Sequence, residues 1–126
     1  MSKFQEVPHL VYWKIAARGQ TPLLMLHAGS IPYIWDDTVA TMWPKTKNNQ
    51  PFGQLPVLIH RGNSIAQSGT ITRYCAMLAN LWPQPEDEWW KVDMIIEHCN
   101  DIYNLMAKAK YAKDSFTAWA ELADKK

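Results

Sequence analysis

Two short apolar runs in the middle of the chain, Val57-Leu58-Ile59-His60 and Ser64-Ile65-Ala66, are separated only by Arg61-Gly62-Asn63. A connection this tight joins antiparallel neighbours, because parallel strands need a crossover of roughly a dozen residues or more. The pair therefore reads as a hairpin. Upstream, His9-Leu10-Val11-Tyr12-Trp13 alternates and is rich in β-branched and aromatic residues, which predicts a strand with Tyr12 at its end. Residues 21–28 predict a helix, with Pro22 tolerated in its first turn and Gly29 as its stop. Residues 31–35 predict a second strand, parallel to the first. Residues 36–50 are irregular and polar, consistent with one short helix between loops.

After the hairpin, Ser68 is placed to cap a helix in which Ile71, Tyr74, Cys75 and Leu78 share a face. The Pro-rich stretch Asn80-Leu81-Trp82-Pro83-Gln84-Pro85 breaks the pattern. Beyond it, residues 87–112 predict one long helix, with Trp90, Met94, Ile95, Cys99, Ile102, Tyr103 and Met106 at three- and four-residue steps. Asp114-Ser115 would cap a second, carrying Phe116, Trp119 and Ala123. The order is βαβ, then ββα, then helices only. It divides the chain into a first domain at 1–79, a linker at 80–86 and a partial helical domain at 87–126.

Composition narrows the function. The chain has 126 residues, 48% of them hydrophobic, enough for a core and too few for several domains. Its 13 Lys and Arg against 12 Asp and Glu leave +1, with no basic excess to grip nucleic acid or an anionic membrane. No apolar run approaches the roughly 20 residues of a membrane span, and the first residues carry no apolar signal core. Cys75 and Cys99 form neither a Cys-x-x-Cys pair nor a zinc spacing, so both are expected to be reduced core thiols of a cytoplasmic protein. His9, His27, His60 and His98 stand singly, so no metal site is expected, and residues 13–20 lack the cysteine of a redox dithiol.

The βαβ-ββα order with an X-Pro junction opening the hairpin is a thioredoxin-like layout, an α/β fold. Within it, Tyr12-Trp13, Trp43-Pro44, Lys47, Pro51-Phe52-Gly53-Gln54-Leu55-Pro56 and Gln67-Ser68, followed by Thr72-Arg73-Tyr74, keep a joint spacing. In these motifs the chain, over about residues 9–106, resembles the cytosolic glutathione transferases, nearest to the tyrosine-using sigma and mu classes.

The resemblance implies glutathione as co-substrate. Pro56, cis in that family, would let Leu55 pair with the cysteinyl part of glutathione as an added strand does. Ser68 and the N–H groups at its helix start would take the γ-glutamyl carboxylate, where unpaired donors and the dipole favour an anion. Gln67 would bind the same end, while Trp43, Gln54 and Lys47 would reach the rest, Lys47 near the glycyl carboxylate. Tyr12 would carry the chemistry. A free thiol ionises near about 8.5, and a phenol donating to the sulfur anion lowers that value; a shift of one to two units is worth roughly 1.4 to 3 kcal/mol. Arg18 would add positive field at the sulfur. Asp101 aligns with the acid that reaches the glutathione amine in the partner subunit, implying a homodimer.

Two departures from the pattern stand out. The family places Arg-Gly four and five residues after the tyrosine, where this chain has Ala16-Ala17, so looser packing under the site is expected. The helical region is also shorter than the family's, which leaves the pocket for a small electrophile to Trp13, the long helix and a partner. Two functions are therefore open: conjugation of an electrophile or isomerisation of a lipid peroxide by glutathione activated at Tyr12, or a non-catalytic structural, ligand-binding or complex-subunit role on the same fold.

Overall fold

A computed structural model describes residues 6–124. They fall into two compact units that divide between Trp82 and Pro83.

The first unit is built on a four-stranded mixed sheet. Its strands are β1 (His9–Val11), β2 (Ile34–Asp36), β3 (Val57–His60) and β4 (Asn63–Ala66), in the spatial order β2-β1-β3-β4. β1 is parallel to β2 and antiparallel to β3, and β3 is antiparallel to β4. The helices are α1 (Gln20–Ala28), the short α2 (Thr38–Thr41) and α3 (Ser68–Leu78), with a 3-10 turn at Lys47–Asn49. The fold class is α/β with the βαβ-ββα order read from the sequence, although β2 begins three residues later than its apolar run suggests.

The β3–β4 hairpin shows how local chemistry sets register. Arg61 and Gly62 take φ of 51° and 73°, the positive values that a two-residue connection needs to match the strand twist. With Gly62 supplying one of them at no steric cost, His60 pairs with Asn63 and Val57 with Ala66. Val57 and Leu58 are both buried, so β3 is covered on two faces at its start, while Ile59 further along is exposed.

Leu10, Leu26, Leu58, Ile71 and Cys75 are wholly enclosed, and one buried cluster joins β1, β3, α1 and α3. Each such aliphatic side chain contributes about 1.5–3 kcal/mol of burial free energy. α1 and α3 pack against each other and so cover that cluster. A polar tie lies among these apolar groups. The buried His60 has Nε2 2.9 Å from the Glu6 carbonyl and Nδ1 2.8 Å from the Tyr74 hydroxyl. A carbonyl only accepts, so Nε2–H donates to Glu6 and the Tyr74 O–H donates to Nδ1.

The second unit holds α4 (Trp89–Lys110) and α5 (Ser115–Ala123), which pack on each other. Asp114 caps α5 as expected: its carboxylate accepts from Thr117 N–H at 3.1 Å and from the Thr117 hydroxyl at 2.6 Å, and these bonds hold its carboxyl below the usual range. Along α4 the three- and four-residue spacing is present, but Trp90, Met94, Ile95, Ile102 and Met106 are all exposed. Cys99 is exposed too, which corrects the expectation of two core thiols; only Cys75 is buried. Periodicity marks residues that share a face, and it does not say whether anything covers that face. No described helix is long and apolar enough to cross a membrane.

Candidate functional site

Strand register alone collects the expected residues. Val11 pairs with Val57 across β1 and β3, so Tyr12 and Pro56, the next residues outward, lie at the same end of the sheet. Val57 pairs with Ala66 across β3 and β4, which brings Gln67 and Ser68 to that end as well. Val11 pairs with Asp36 on the other side, and Tyr12 N–H donates to the Asp36 carbonyl at 3.0 Å. One end of the sheet therefore carries a phenol, a proline junction and a helix start.

The Leu55–Pro56 bond is cis, the form that the resemblance implies, and so is Trp43–Pro44, which the sequence reading did not anticipate. Leu55 and Pro56 are buried, and Gln54 just before them is exposed. Ser68 is the first residue of α3 rather than its cap. The cap is Gln67, whose φ of 72° and ψ of 119° lie in a region seldom taken by anything but glycine, at a cost of about 1–3 kcal/mol. Its side chain makes no capping bond, which corrects the placement of Ser68 as N-cap. The helix begins one residue early because Gln67 turns the chain directly from β4 into α3. Within the first turn, the Thr72 hydroxyl donates to the Ser68 carbonyl at 2.8 Å.

Tyr12 is 5% exposed. The Trp13 ring meets it edge-on, with centroids 5.4 Å apart at 72°, and Trp43 meets Trp13 at 5.5 Å and 74°. Edge-to-face contacts of this kind are favourable because a positive ring edge meets a negative face. Trp43 is thereby joined to the phenol through one intervening ring. Lys47, exposed, opens the 3-10 turn, and its stem runs past Gly53, where an added Cβ would lie 3.6 Å from Lys47 Cε. Gly53 itself has φ of 60°, so the Pro51–Gln54 turn depends on glycine.

Arg18 lies half-buried in the turn before α1, and Asp101 is exposed on α4 in the second unit. At the sheet edge, Asp36 Oδ1 accepts from the Thr38 hydroxyl at 2.7 Å and from Thr38 N–H at 2.8 Å, which holds its carboxyl below the usual range. No group of three or more potential metal ligands occurs among the described residues.

The residue that the sequence reading missed is Gly19. Instead of looser packing beneath Tyr12, the structure has Gly19 buried directly against its ring. Arg18 and Gly19 follow Ala16-Ala17 directly, so the departure from the family's Arg-Gly stands while a glycine packs on the ring from two residues further on. An Arg-Gly just before a Pro-containing helix was the available signal.

The profile of the glutathione S-transferase N-terminal domain matches residues 37–77. Glutathione S-transferase 2 of Manduca sexta is 32% identical over 110 residues, spanning 86% of this chain and 54% of the relative. The chain belongs to the glutathione S-transferase family. Hematopoietic prostaglandin D synthase of Rattus norvegicus is 35% identical over 72 residues, which cover 57% of this chain and 36% of that enzyme. The structure of prostaglandin synthase D of Nilaparvata lugens superposes with a TM-score of 0.79 at 29% identity, over 90% of this chain and 57% of that one. The chain thus spans about half the length of the relatives it matches.

Proposed function

We propose that this chain carries the glutathione site of a glutathione transferase and that Tyr12 activates the thiol there. The observation that carries the reading is the shared end of the sheet, where Tyr12, the cis Leu55–Pro56 junction and the Gln67-Ser68 helix start come together. Glutathione would lie across that end, its cysteinyl part paired with the Leu55 main chain as an added strand is. The γ-glutamyl carboxylate would sit at the start of α3 against Ser68 and Gln67. Trp43, Lys47 and Gln54 would bind the glycyl half.

The Tyr12 hydroxyl would donate to the thiolate, and Arg18 would add positive field. The thiol proton leaves to water, and the stabilised sulfur then attacks an electrophilic carbon, whose leaving group departs with its electron pair. The names of the prostaglandin synthase relatives support isomerisation of a lipid peroxide as a second outcome of the same activation. Residues 1–79 would form the glutathione-binding domain, 80–86 a linker and 87–126 a helical domain. The working form would be a cytoplasmic homodimer in which Asp101 reaches the glutathione amine of the other copy.

Retention on immobilised glutathione, with conjugation of an activated aryl halide, tests this in wild type and Tyr12→Phe. Loss of the hydroxyl should leave retention unchanged and cut turnover by about tenfold or more, the equivalent of about 1.4 kcal/mol. Equal turnover in the two would remove Tyr12 as activator. Retention without turnover in either would favour a glutathione-binding protein with a non-catalytic role.

A further inference from the structure

We propose that Gly19 is a positioning residue for Tyr12, in that its missing side chain fixes where the phenol hydroxyl stands. This rests on the reading of Tyr12 as thiol activator.

The backbone at position 19 gives no reason for glycine. Its φ of −81° and ψ of −16° are ordinary right-handed values that any residue adopts. It precedes α1 as the N-cap, where Ser, Thr, Asp and Asn serve better because their side chains accept from the first turn. The reason is space. A Cβ at this position would lie 2.5 Å from Tyr12 Cδ1, 3.1 Å from Cγ and 3.2 Å from Cε1. Carbon atoms rest at about 3.5–4 Å, so the ring would have to move by about 1 Å.

The ring has little freedom to make that move at its free end alone. Cγ is the root of the ring, so contact there displaces the whole phenol. Tyr12 is 5% exposed, and Trp13, itself against Trp43, stands edge-on to it. The displacement therefore reaches the hydroxyl, and a donor misplaced by about 1 Å forfeits much of the roughly tenfold in rate that the hydroxyl supplies. All three atoms nearest to the added carbon belong to the Tyr12 ring, so the phenol is the first group that must give way.

The test is a double-mutant cycle read by the ultraviolet absorbance of bound glutathione thiolate against pH. Wild type, Gly19→Ala, Tyr12→Phe and the double variant are compared, with glutathione affinity and unfolding midpoint measured alongside. Gly19→Ala should raise the pKa of the bound thiol by about one unit, close to the effect of Tyr12→Phe, with affinity within about twofold. The double variant should be no worse than Tyr12→Phe alone. A raised thiol pKa in Tyr12→Phe with none in Gly19→Ala, or fully additive effects, overturns this inference and leaves the activator reading standing. No shift in Tyr12→Phe overturns both. Should Gly19→Ala fail to fold, proton cross-relaxation in the wild type decides: Gly19 Hα to Tyr12 Hδ contacts are expected, and their absence overturns the inference.

Discussion

The two units of this chain carry apolar residues in the same proportion, used in opposite ways. In the first, Leu10, Val11, Leu23, Leu26, Val57, Leu58 and Ile71 close on one another around a sheet, and the wholly enclosed residues lie there. In the second, Ala109 is the one buried hydrophobic residue among those described, while Trp90, Met94, Ile95 and Phe116 are exposed. The difference lies in geometry rather than in hydrophobicity. A sheet with helices on it encloses side chains from several directions, whereas two helices share only a narrow seam. Stability and the candidate site therefore both reside in the first unit.

The sharpest way to break this contrast is a deletion in the enclosed cluster. Leu58, fully buried on β3, should cost about 3 kcal/mol on Leu58→Ala, read as a lower midpoint in denaturant unfolding. A loss below about 1 kcal/mol would mean that the cluster is not the seat of stability.

The two thiols sharpen it further. Burial pushes the Cys75 thiol up from 9.0 to about 12, while Cys99 is exposed. An aromatic disulfide reagent should titrate one thiol per native chain and two in denaturant. Because the folded Cys75 stays protonated where the unfolded thiol ionises, its contribution is complete below pH 9.0 and is lost as pH climbs toward about 12. The Cys75 part of the alkaline fall in stability, at most about 1.4 kcal/mol per pH unit, should be missing in Cys75→Ala and present in Cys99→Ser.

The smallest effect is expected on α4. Ile95 is 63% exposed, and Ile95→Ala should shift stability by no more than about 0.5 kcal/mol. A larger loss would show that this face is covered in solution.

Much of the first unit was legible because its signals are local. A gap as short as the one between β3 and β4 makes a hairpin, and proline, glycine and apolar period together fix the strand and helix order. The site was legible through spacing, since the pairings of Val57 with Val11 and Ala66 carry Tyr12, Pro56 and Gln67 to one end of the sheet. What escaped depends on distant atoms. Gly19 is required by a ring seven residues away, and neither propensity nor period encodes that distance. Gln67 caps α3 through backbone conformation alone, so Ser68, the better capping residue by type, misled. Cys99 sits in a helical pattern like that of Cys75, and only the presence or absence of a covering layer separates them.

The imidazole between Glu6 and Tyr74 has a consequence for observation. Its two nitrogens are chemically distinct, one bearing hydrogen and the other accepting, and the assignment persists only while the Glu6 carbonyl stays against the ring. Nitrogen resonances of His60 would therefore act as a built-in gauge. If Glu6 lifts away, the ring loses the acceptor that selects its tautomer, and a single pair of spectral lines would record that local departure long before the molecule unravels.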